Sequence, residues 1–166
     1  MPRPNSNAAA LRRIMQQQLA TGKTLITLAE ASEQALIEGN TAKLEALAPQ
    51  QRGLLDTQIT QEMVRQQVTR DLSQMLGVER APTLSALLPA LPRTEAMALD
   101  TLRQQILETE RRMDILNQRN GILLENALGY VKFSLEALTS AALKPARYGV
   151  NLARLSAPSF YVDSKA

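Results

Sequence analysis

Acid–base chemistry in this chain could come only from carboxylates, lysine, tyrosine or arginine, because its 166 residues include no histidine and no cysteine. That composition removes the common metal-ligand sets, the Ser/His/Asp and Cys/His triads, and any disulfide. Two carboxylate pairs remain, Glu30 with Glu33 and Glu108 with Glu110. Neither comes with a Glu-x-x-His motif or any other sign of a buried polar pocket. Both read as solvated helix faces, the usual setting of helical glutamate. Gly121 and Gly129 each cost a helix about 1 kcal/mol relative to alanine and stand in no phosphate-loop context. No enzymatic activity, no catalytic residue, no metal and no cofactor is therefore expected.

The residues that could do chemistry of another kind, apolar recognition, crowd toward the C-terminus. Ile122, Leu123 and Ala127 join Leu124, Leu128, Val131, Phe133, Leu135 and Leu138 around all sides of one helical stretch. A helix apolar on every side must be covered on every side, by self-association, by another polypeptide, or by the proline-bearing connector or the tail folding back on it. All five aromatic residues, Tyr130, Phe133, Tyr148, Phe160 and Tyr161, fall in the last 37 positions. Aromatic side chains bury much area at little entropic cost, which enriches them at binding hot spots. Tyr148 follows Pro145 and precedes Gly149, outside any periodic segment, which marks it for docking on a partner.

The elements that must position these residues are helices. The mix of Leu, Ala, Gln, Glu and Arg favours them. From about 5 to 38, Leu11, Met15, Leu25, Leu28, Ala29 and Leu36 keep to one face, and Gly39-Asn40 stops the helix. A second helix spans about 41–76, with Thr41 as N-cap, Leu44, Leu47, Leu54, Leu55, Ile59, Met63, Leu72 and Met75 or Leu76 on its face, and Gly77 closing it. Pro49 lies inside it, so a kink or break near 45–49 is expected. A proline-bearing connector follows, with Thr83 able to cap a short helix over about 83–91.

The third long helix runs from about 94 to 142. Alternate steps of three and four from Leu99 to Tyr130 find eight apolar residues in ten positions, with Thr109 and Asn120 the exceptions. That heptad spacing predicts coiled-coil packing, with Asn120 fixing register. The fold class read from the pattern is all-α, an antiparallel helical bundle or coiled coil of three long helices with a short connecting helix. Residues 1–142 form its single domain, and 143–166 a flexible C-terminal tail. At 1.5 Å per residue the last helix is roughly 73 Å long against roughly 50–54 Å for the other two, so an overhang of about 20 Å is expected.

The formal charge of +3 comes entirely from the tail, where Lys144, Arg147, Arg154 and Lys165 face Asp163, leaving 15 bases and 15 acids before it. Cations so widely spaced do not make a duplex-binding face, and no nucleic-acid partner is expected. No apolar run reaches the roughly 18 residues of a membrane span, and no signal-peptide core follows the first arginines, so no membrane insertion and a cytoplasmic location are expected.

The stretch LNQRNGILLENAL at 116–128, then FSLEAL at 133–138 and Tyr148-Gly149, resembles the C-terminal signature of the FlgN family of flagellar export chaperones. The resemblance implies a cytoplasmic chaperone that holds hook–filament junction proteins through its C-terminal helix, prevents their premature assembly and delivers them to the flagellar type III export gate. By position it places Asn117 and Asn120 in client binding, beside Leu124, Leu128, Val131, Phe133, Leu135 and Leu138, and assigns Tyr148 to export-gate docking. It implies a monomer or weak dimer. Without a client, the same residues would make a self-associating structural coiled coil.

Overall fold

The computed structural model describes residues 4–78 and 83–142, with side chains from 6 to 78 and from 83 to 139. The chain is all-α. Helix α1 is Pro4–Ile37, α2 Thr41–Leu76, α3 Leu84–Leu87, continued by a 3-10 turn at Leu88–Ala90, and α4 Arg93–Ala142. No described helix is long and apolar enough to cross a membrane.

Both tight turns are made by glycine at positive φ, Gly39 at 63° and Gly77 at 68°. Each ends its helix in the same double hydrogen bond. Gly39 and Asn40 donate to the Leu36 and Ala35 carbonyls, and Gly77 and Val78 to those of Gln74 and Ser73. This is the left-handed cap that glycine adopts without a Cβ penalty. The N-cap of α2 is Asn40, not Thr41, because the Asn40 side chain accepts from the Lys43 amide at 3.0 Å. Thr83 caps α3 by accepting from the Ala86 amide at 3.3 Å. Of the kink or break expected near Pro49, the break is absent, since α2 runs through that residue. One missing N–H is tolerated in a helix whose other bonds persist.

The chain divides into Met1–Gly129 and Tyr130–Ala166, a division that falls inside α4. In the first unit the main core lies where the start of α1, the end of α2, α3 and the start of α4 meet. Leu11, Leu72, Leu87 and Leu99 are fully buried there, with Leu84 and Leu91 beside them. The connector therefore spends its leucines on this core. A second, smaller cluster of Ile26, Ala29 and Leu116, with Met113 packed on it, joins α1 to α4 further along.

Between the two clusters and just past the second, polar pairs join α1 to α2. Buried Gln18 donates to Glu62 at 3.0 Å, Gln61 to Thr21 at 3.1 Å, and Gln51 to Ser32 at 3.0 Å. This explains where the expected apolar face of α2 fails. Ile59 and Met63 are exposed, at 61% and 67%, because Gln61, Glu62 and Thr69 take the α1-facing side. Among the described residues, every side-chain hydrogen bond between long helices has α1 on one side, with α4 held through Asn120 to the Ala29 carbonyl and through the Arg12–Glu95 and Arg112–Glu30 ion pairs. At Gly22 the two helices come so close that a Cβ would sit 2.9 Å from Thr109 Cγ2.

Candidate functional site

The heptad seam of α4 faces the bundle from Leu99 through Leu102, Ile106, Thr109, Met113, Leu116 and Asn120 to Leu123, every one of them buried or half-buried. From Leu124 to Gly129 every position is exposed. In the first unit this leaves Leu124 and Leu128 exposed at 48% and 61%. In the second unit Tyr130, Val131, Phe133, Leu135 and Leu138 are exposed as well, Leu138 to 70%.

Where the seam ends, the three long helices enclose a groove of about 430 Å³. Its α1 wall is Leu25, Ala29, Ser32 and Leu36. Its α2 wall is Leu44, Ala48, Gln51 and Leu55. From α4 come Met113, Asn117, Asn120, Gly121 and Leu124. No charged side chain lines it. Asn117 is exposed, whereas Asn120 is half-buried and donates through Nδ2 to the Ala29 carbonyl at 3.0 Å. Its Oδ1 is buried without a partner. The structure thus brings Asn117, Asn120 and Leu124 together in one cavity. Leu128 lies outside its lining, and Tyr148 lies outside the described residues.

A second cavity, of about 400 Å³, opens among the same helices next to α3 and has a different character. Arg65 forks onto Glu62 through Nε and one terminal nitrogen at 2.8 and 2.6 Å. That pairing draws the Glu62 carboxyl down from 4.5 to about 2, against the opposing effect of burial, with further help from the Gln66 and Gln18 amides. Arg103 and Glu110 complete the charged lining. Arg65 is held protonated in turn. A closed ion pair of this kind is structural and offers no free acid or base. Among the described residues, no group of three carboxylates gathers to hold a metal ion.

The α1 and α2 walls of the groove are site elements that periodicity on a single helix could not single out. Their residues read as ordinary core positions, and only the packing shows that Leu44 and Leu36 are half-covered and Leu55 open.

The chain is an all-helical scaffold with a charge-free groove beside the exposed Leu124 and Leu128 of α4. A family model described as FlgN protein matches residues 1–152, and the chain belongs to that family. FlgN proteins are flagellar export chaperones that bind hook-associated proteins, and this chain is accordingly a chaperone of flagellar biogenesis. No curated protein and no solved structure matches the chain.

Proposed function

We propose that this chain binds the C-terminal helical segments of hook–filament junction proteins in the cytoplasm, keeps them from assembling, and hands them to the flagellar export gate. Client contacts come from α4: Asn117, Asn120 and Leu124, then Leu128, Val131, Phe133, Leu135 and Leu138. The observation that carries the reading is the loss of cover on α4 after Leu123, from which point apolar side chains meet water on every side of the helix. Apolar anchors at i, i+3, i+4 and i+7 are what helix-against-helix recognition uses.

Leu135 and Leu138 are exposed at 57% and 70%, so aspartate at either leaves the fold unchanged. Burying one leucine at an interface contributes about 1.5–3 kcal/mol, so each variant loses on the order of 10–100-fold in client affinity. Co-purification with the junction proteins tests this, and retention by both variants refutes it. Tyr148 docks at the gate in this reading, and Tyr148→Ala then spares client binding but reduces motility; normal swimming removes that assignment.

The same exposed surface also supports a second reading, self-association without a client. Sedimentation separates the two. A concentration-independent oligomer that buries 122–138 favours self-association, and a monomer or weak dimer favours the chaperone.

A further inference from the structure

We infer that the client enters the groove as an additional helix, so that α1 and α2 form its binding site together with α4, and that this helix carries a hydrogen-bond donor facing Asn120 and basic side chains along its flanks. The inference rests on the export-chaperone reading and adds to it a place and a chemistry.

The groove is built for a helix by its spacing. The α1 and α2 walls each present four residues separated by four, three and four positions, 25 to 36 and 44 to 55, and α4 repeats that spacing from 113 to 124 with Gly121 added between Asn120 and Leu124. That is the heptad spacing whose gaps receive the knobs of another helix. Eleven steps at 1.5 Å give each wall about 16 Å, or about three helical turns. Beyond Leu55 the walls change to the Glu62–Arg65 pair and Arg103, which ends the apolar stretch and sets how far the guest extends.

Two features specify the guest's polar groups. The buried Oδ1 of Asn120 has no donor, and a buried acceptor left alone costs about 1–3 kcal/mol, which an incoming N–H offsets. One step further round α2 and α4 from the groove, helical geometry places the exposed Glu45, Arg52, Asp56, Asp114 and Glu125. Four acids against one base make a rim complementary to a basic-flanked helix.

Other occupants fit less well. Residues 143–166 are basic, but the stretch between Gly149 and Pro158 has only eight residues, about two turns against the three required. A second copy's 130–142 carries one base, Lys132, and one acid, Glu136, and so brings no basic flank.

The test places a photo-crosslinking amino acid at Ala48, Leu135 or Lys23 of the full-length chain, with each purified junction protein as probe. Lys23 is exposed on α1 away from the groove. The inference predicts client adducts from Ala48 and none from Lys23. It predicts at least 10-fold weaker client binding for Leu55→Glu with an unchanged melting curve. Asp114→Lys combined with Glu125→Lys should weaken binding about 3–10-fold at low salt, with less effect at high salt. Client adducts from Leu135 but not Ala48 overturn the groove and leave the chaperone reading standing. Adducts from Ala48 only to residues 143–166 or to a second copy overturn it in favour of those occupants. Failure of the unmodified chain to bind any junction protein overturns both readings.

Discussion

Gly22→Ala probes the α1–α4 contact that holds the groove's walls together. The new Cβ would lie 2.9 Å from Thr109 Cγ2, about 1 Å inside ordinary carbon–carbon contact. Thr109 cannot simply swing away. Its Oγ1 donates to the Gln105 carbonyl at 2.8 Å, and β-branched residues in helices have few rotamers to choose from. Losing that bond costs about 0.5–1.5 kcal/mol, and spreading the helices costs about 1–3 kcal/mol. Alanine returns about 1 kcal/mol of helix propensity over glycine. The single variant is therefore destabilised by about 0–2 kcal/mol. The sharper quantity is the coupling. In a Thr109→Ala background the nearest atom is the residue-109 Cβ at 4.0 Å, and Gly22→Ala becomes stabilising by about 1 kcal/mol. A urea-denaturation cycle should thus yield a coupling of about 1–3 kcal/mol. Additivity within about 0.5 kcal/mol would show that the helices do not meet closely at this point.

Leu87 is fully buried in the main core, and Leu87→Ala should cost about 2–5 kcal/mol by guanidinium denaturation, while Leu138→Asp costs less than about 0.5 kcal/mol. Because the Glu62 pKa falls on folding, from 4.5 to about 2, its carboxylate stabilises the folded chain above the unfolded value and loses that contribution as pH drops toward 2. Its side chain is 37% exposed, so screening leaves about 1 kcal/mol, and Glu62→Gln should lower stability at neutral pH by that amount and flatten the acid limb of a pH–stability curve. Asn120→Leu removes the bond to Ala29 and the unpaired acceptor together, so stability should hold within about 1 kcal/mol in urea. A loss above about 2 kcal/mol would make that bond a principal tether of α4.

The sequence made much of the scaffold legible because each signal is local. Gly39 and Gly77 end their helices for a reason confined to their own φ, and Thr83 caps from its own side chain. The α4 seam repeats the same step over several heptads, so a single misfit such as Asn120 does not hide it. On α2 apolar periodicity follows Leu55, Ile59 and Met63, whereas the packed face is chosen by Gln61 and Glu62 pairing with polar residues of α1, with Thr69 buried beside them and bonded to the Arg65 carbonyl of its own helix. The groove was invisible for a related reason. Its α4 wall lies far along the chain from the other two, and the three are joined only by how α2 and α4 dock on α1. The Asn117–Asn120 pair could be noticed through resemblance, but its position in a cavity with Leu36, Leu44 and Leu55 had no counterpart in the spacing.

Hydrogen–deuterium exchange of the full chain, alone and saturated with a junction protein, tests most directly whether the uncovered stretch of α4 holds the client. The account predicts client-dependent protection between 117 and 138, joined by the groove walls at 25–36 and 44–55 if the client helix enters the groove. Unchanged exchange there, with protection confined to the exposed outer face of α1 around Lys23, would contradict it.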